Sequence, residues 1–237
     1  KVQPKKDHWN RDGKFRLQYN FPIFTNAVLL LKMLMMNQEK IIFLGDSYTI
    51  GEGVDFNENF PNKLIKKLSR LTNATLTAKI IAKTGWTTGE LLAALQNTAT
   101  ADDFKIATLL IGVNNQYRGL DIEIYKKEFE VLLKRAISFV TNPNSVIVIS
   151  IPDWGQTPFA KNRDKIKISW EIDQYNSINR SIAAKYQSHY LDITSGYRLR
   201  SNAAEFIAGD GLHPSSAEYE FWTNQLLELI RDKKLYQ

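Results

Sequence analysis

The sequence predicts an α/β domain built on a parallel β-sheet with helices on both faces. Three observations predict it: five short apolar runs, amphipathic segments alternating with them, and unusual polar residues placed just after the runs. At 237 residues, 43% apolar and 24% charged, the chain has the composition of one globular domain with enough material for a core.

The elements follow in order. Residues 41–44 (IIFL) end at Gly45 and read as a buried strand. Residues 61–71 place Leu64, Leu68 and Leu71 on one helical face, with Pro61 suited to the first turn. Residues 76–82 read as a second strand and 87–95 as a helix. The third strand, 107–111 (ATLLI), runs into Gly112. A long helix is expected over 121–140, where Ile122, Tyr125, Phe129, Leu132, Ala136 and Val140 recur at helical spacing. Residues 145–151 (SVIVISI) form the fourth strand, and Ile172, Tyr175, Ile178, Ile182 and Tyr186 mark the next helix. A short fifth strand at 190–193 precedes a last helix opening at Ser215, where Ser-Ser-Ala-Glu fits a capping box. Its buried side is expected to hold Trp222, Leu226 and Leu229 or Ile230. The basic stretch 161–167 reads as a solvated loop.

Composition excludes several kinds of chemistry. The chain has no cysteine, so disulfides, thiolate nucleophiles and cysteine-held metals are ruled out. Its three histidines, His8, His189 and His213, are too few for a histidine-rich metal centre; no metal and no cofactor is expected. The net charge of +6 is concentrated at the start: residues 1–40 hold eight basic against three acidic side chains, and the remainder 23 against 22. The near-neutral body does not suit a nucleic-acid partner. Residues 1–36 are expected to be an N-terminal extension to a domain spanning 37–237. Met33, Met35 and Met36 lie together there and no other methionine exists, so either the natural start lies among them or the segment is an amphipathic arm. The apolar run at 27–36 is too short to span a bilayer, which takes roughly 20 residues, and stable membrane insertion is not expected. A cytoplasmic protein is expected, with export as the alternative if 1–36 acts as a leader; no small-residue cleavage site follows the run. The sequence leaves the oligomeric state open.

In a parallel sheet covered on both faces, ligands bind beyond the carboxyl ends of the strands. The motifs sit there: Gly45-Asp46-Ser47 after the first strand, Thr84-Gly85-Trp86 after the second, Gly112-Val113-Asn114-Asn115 after the third and Asp210-Gly211-Leu212-His213 after the fifth. Each alone reads more simply as a turn or cap. Together they supply the parts of an acyl-transfer site. Ser47 needs a base to become a nucleophile; His213 can take its proton, and Asp210 can fix the imidazole tautomer and stabilise the imidazolium. The backbone N–H groups of Ser47 and Gly85 and the Asn114 side-chain amide are suited to an oxyanion hole. His189 falls at a helix-to-strand junction, the wrong end of the sheet. Tyr48, Trp86, Tyr117, Trp154 and Phe159 accompany the motifs and either wall a substrate pocket or cover the core beneath the loops.

This ordered set resembles the SGNH/GDSL hydrolase family, from about residue 40 to the C-terminus. The resemblance implies a flavodoxin-like, three-layer α/β/α sandwich on a five-stranded parallel sheet. It also implies a serine esterase with Ser47 as nucleophile, Asp210 and His213 completing the triad, and Gly85 and Asn114 completing the oxyanion hole. Two departures stand out: Tyr48 replaces the motif's leucine, and Asn115 an aspartate often found there. Both bear on substrate preference more than on activity. No Gly-x-Ser-x-Gly elbow of the α/β-hydrolase kind is present. The expected substrate is a small acyl ester, with an acylated sugar, a lysolipid or a thioester all open. Two competing readings are a flavodoxin-like protein cradling a flavin phosphate at residues 45–53 and an inactive family member that binds glycans.

Overall fold

The computed structural model describes residues 38–72, 74–96 and 104–236; the expected extension, its apolar run and its methionines lie outside them. Five strands form one all-parallel sheet: β1 (Gln38–Gly45), β2 (Thr75–Ala82), β3 (Ile106–Leu110), β4 (Val146–Ile149) and β5 (His189–Leu191), in the order β2-β1-β3-β4-β5. Ile41 through Leu44, Ile106 through Leu110 and Val146 through Ile149 are all buried, because a central strand covered on both faces has no side that reaches water.

The helices are α1 (Ser47–Ile50), α2 (Phe60–Thr72), α3 (Thr88–Leu95), α4 (Val113–Tyr117), α5 (Ile122–Ile137), α6 (Lys165–Lys185), α7 (Thr194–Arg200) and α8 (Ser216–Asp232). α2 packs with α8, while α5 packs with α3 and α6, giving the α/β/α layering. Between α2 and α8 lies an aromatic cluster: the Trp222 ring has its centroid 5.1 Å from Tyr219, 6.1 Å from Phe60, 6.0 Å from Tyr197 and 6.3 Å from Tyr48. Such pairs each add about 0.5–1.5 kcal/mol beyond the area they bury. The cluster ties the α8 layer to Tyr48, next to the first motif. Among the described residues, no helix is long and apolar enough to cross a membrane.

Several expectations change. The long helix stops at Ile137, and Val140 bridges to Phe104 instead. α6 begins at Lys165, where the Asp164 carboxylate accepts a hydrogen bond from Lys167 N (3.0 Å), so the basic stretch is solvent-exposed but its second half is helical. At α8, Ser215 Oγ accepts from Ala217 N and Glu218 N. The reciprocal half of the expected capping box is missing, because the Glu218 side chain is fully buried. It accepts both Arg200 Nε (2.7 Å) and Nη2 (2.8 Å), and Trp222 Nε1 (2.8 Å). A buried carboxylate requires such partners, and this demand overrides the cap. A complete capping box occurs instead between Thr87 and Glu90 at α3.

Candidate active site

Strand register brings the motifs to one level. Gly45 pairs with Ala82 on one side and Leu110 on the other, so the chain leaves β1, β2 and β3 side by side. These flank the point where strand order reverses between β1 and β3, the usual ligand position in such sheets.

Asp46 follows β1 and caps α1, its Oδ1 accepting from Tyr48 N at 3.0 Å. Full burial pushes its carboxyl up to about 7, against the lowering effect of that hydrogen bond. The cap fixes Ser47 in the first turn, with its backbone N–H among those a helix start leaves without an intrahelical acceptor. Ser47 Oγ lies 2.9 Å from His213 Nε2, and His213 Nδ1 lies 2.6 Å from Asp210 Oδ2. Asp210 Oδ1 accepts the backbone N–H groups of Leu212 (2.8 Å) and His213 (2.9 Å). Partial burial works against ionisation of Asp210, but the hydrogen bonds from the His213 ring and from these two amides outweigh it and hold the carboxyl below its ordinary range. An ionised Asp210 accepts from Nδ1–H, which leaves Nε2 as the acceptor for the Ser47 hydroxyl.

The His213 loop is itself anchored. Ala208 N donates to His213 O (2.8 Å), Ile207 bridges to Pro214, and Tyr197 Oη donates to Leu212 O (3.2 Å). The Tyr48 ring meets the imidazole edge-on, with centroids 5.4 Å apart. Tyr48 is almost fully buried and so supports the base as well as lining the cavity.

Opposite the imidazole, Gly85 has φ +82° and Gly112 φ +126°, values that favour glycine. At Gly112 a Cβ would also collide with the Tyr125 hydroxyl at 2.7 Å. α4 clamps the Gly85 loop. Asn114 Nδ2 donates to Trp86 O (2.9 Å), Arg118 donates to Gly85 O, and Asn115 Oδ1 accepts Thr88 N (3.0 Å). One of the two Asn114 amide hydrogens is used this way, and the other remains to donate. The Asn115 departure from the resembled motif therefore has a structural role here.

These groups surround a cavity of about 190 Å³ lined by Ser47, Gly85, Asn114 and His213 together with Tyr48, Tyr117, Trp154 and Phe159. The last three rings contact one another at 5.3–6.4 Å, forming a wall. The Trp154 loop is held by Asp153, fully buried, which accepts Arg198 Nε at 2.8 Å. Of the expected residues, Trp86 is not part of this lining; it packs on the core, and its carbonyl is what reaches Asn114. Thr84, Val113 and Leu212 line the cavity too; only adjacency to a motif pointed to them. His189 opens β5 at the opposite, N-terminal end of the sheet. Burial and nearby Lys233 lower its pKa. Among the described residues no group of acidic or histidine side chains is arranged to hold a metal ion.

A model of the GDSL-like lipase/acylhydrolase family matches residues 43–221, which include all four motifs. The chain belongs to this family. The GDSL-like fold recurs in solved structures. TesA superposes with a TM-score of 0.65 at 16% identity, over 84% of this chain and all of that one. Axe2, an acetylxylan esterase from Geobacillus stearothermophilus, gives 0.64 at 18% identity, over 80% of this chain and 93% of its own. A lipase/acylhydrolase from Enterococcus faecalis gives 0.64 at 20% identity, over 82% and 96%. No curated protein matches the chain. As a GDSL-like protein it is an ester hydrolase acting on small-molecule esters.

Proposed function

We propose that the protein cleaves short acyl esters through an acyl-enzyme on Ser47. The observation that carries this reading is the unbroken chain from Ser47 Oγ to His213 at 2.9 Å and on to Asp210 at 2.6 Å, with Ser47 and His213 in the lining of an apolar-walled cavity. Ser47 Oγ attacks the ester carbonyl as its proton passes to His213 Nε2, and Asp210 stabilises the imidazolium. The oxyanion accepts hydrogen bonds from Ser47 N–H, Gly85 N–H and Asn114 Nδ2. His213 then protonates the leaving alcohol. Water, deprotonated by His213, hydrolyses the acyl-Ser47.

Asn114→Ala is expected to lower kcat by about 100-fold or more, with KM nearly unchanged, because the donor gains strength only as the oxyanion forms. Steady-state kinetics on p-nitrophenyl acetate separate the two parameters.

Acyl length tests the reading of the cavity. The Tyr117–Trp154–Phe159 wall bounds a space of only about 190 Å³, so only the first few methylenes of an acyl chain can gain their ~0.8 kcal/mol each. kcat/KM on p-nitrophenyl esters should peak between acetate and butyrate. A steady rise to dodecanoate would contradict a short-acyl site and indicate a lipase groove.

A further inference from the structure

A single side chain links the lining of a second cavity to that of the first. Gln116, nearly buried on α4, directs Oε1 to Trp154 Nε1 (2.7 Å), in the wall of the catalytic cavity. Its Nε2 donates to Glu171 Oε2 (2.7 Å) on α6, in the lining of the other cavity. That second cavity measures about 420 Å³ and is lined by Gln116, Leu120, Trp170, Glu171 and Gln174 among others, within the size range of small-molecule sites. Trp170 is 61% exposed and lines this cavity, so its indole face is open to a ligand there. Tyr117, itself 47% exposed, follows Gln116 in the chain and lines the first cavity.

We propose that this cavity is a carbohydrate subsite, holding the sugar portion of an acylated oligosaccharide whose ester lies at Ser47. The proposal rests on the hydrolase reading and names its substrate class. The chemistry of the lining selects this ligand. The face of an indole carries negative charge density and attracts the slightly positive C–H face of a pyranose ring. Gln174 offers both a donor and an acceptor, and Glu171 offers acceptors, for sugar hydroxyls. An acyl chain is a poor occupant because it would strip water from Glu171 and the Gln174 carboxamide without replacing their hydrogen bonds. A phosphorylated ligand is equally unsuited: no lining residue is basic, and the nearby Lys167 is drawn to Glu171 at 3.8 Å.

The test compares wild type with Trp170→Ala and Gln174→Ala on two substrates: p-nitrophenyl acetate, and O-acetylated xylo-, cello- and manno-oligosaccharides. For Trp170→Ala, KM on the acetylated oligosaccharide should rise about tenfold, the equivalent of ~1.4 kcal/mol, with p-nitrophenyl acetate kinetics unchanged. Gln174→Ala should shift in the same direction by less. An unchanged KM in Trp170→Ala overturns the subsite, as does an enzyme that turns over p-nitrophenyl acetate but none of the three oligosaccharides. Loss of a dimer in Trp170→Ala would assign the face to a second copy, and a selective loss on dodecanoate would assign it to an acyl chain; either result overturns the proposal. If wild type fails even on p-nitrophenyl acetate, the hydrolase reading falls. The subsite is then judged by titrating unacetylated xylo-, cello- and mannohexaose and following tryptophan fluorescence. A quench lost in Trp170→Ala supports it, and no response overturns it.

Discussion

Ser47→Ala should lower turnover of p-nitrophenyl acetate by about 10⁴-fold or more, His213→Ala should cost about as much, and the double variant should be hardly worse than either alone. Independent contributions would multiply to about 10⁸. They do not multiply here because the two side chains perform one step. Without the hydroxyl, the imidazole at 2.9 Å has nothing to deprotonate; without the imidazole, a serine hydroxyl at neutral pH is a weak nucleophile. The residual rate should be that of the oxyanion donors and binding alone. Steady-state kinetics of the two single variants and the double variant give the coupling directly, and additive losses would show that the residues act separately.

Asp210→Asn should cost less, about 10²–10³-fold in kcat. The asparagine can keep Oδ1 as acceptor for the amides of Leu212 and His213, which Asp210 now receives at 2.8 and 2.9 Å, so the loop should hold its shape. Its NH₂ would then face His213 Nδ1 and favour the tautomer with the proton on Nε2, the wrong one for accepting from Ser47. A fully buried aspartate in this role is worth ~10⁴. The Asp210 side chain is 39% exposed, and solvent screening reduces what its charge supplies to the imidazolium. A kcat equal to wild type would remove Asp210 from the mechanism.

The parallel sheet was legible because buried strands write themselves as apolar runs, and all five runs became strands. The shorter helices were not: α1 and α4 are only four and five residues long, too short to show a helical period, and the Gly-Asp-Ser and Gly-Val-Asn-Asn segments read more simply as turns. α6 starts about two turns before its first expected apolar residue because its opening turn faces water. At the site, the order of motifs along the chain pointed to Ser47, Gly85, Asn114, Asp210 and His213 as neighbours, since a parallel sheet sends every carboxyl end to the same edge. Which aromatic faces the cavity was beyond the pattern. Trp86 and Trp154 both follow strands, and it is the Gln116 and Asp153–Arg198 contacts, between residues 38 and 45 positions apart, that turn Trp154 toward the serine. The same holds for Glu218, whose place in a capping motif gave no sign of its burial or of its partner Arg200.

The central claim is that Ser47 is the nucleophile. A fluorophosphonate, which phosphonylates an activated serine and leaves ordinary hydroxyls alone, tests it most directly when the labelled peptide is identified by mass spectrometry. One adduct per chain on the peptide containing Ser47 is expected, with ester hydrolysis lost in proportion and no labelling of Ser47→Ala or His213→Ala. Ester hydrolysis that persists in a protein without an adduct, or an adduct on another residue, would contradict the account.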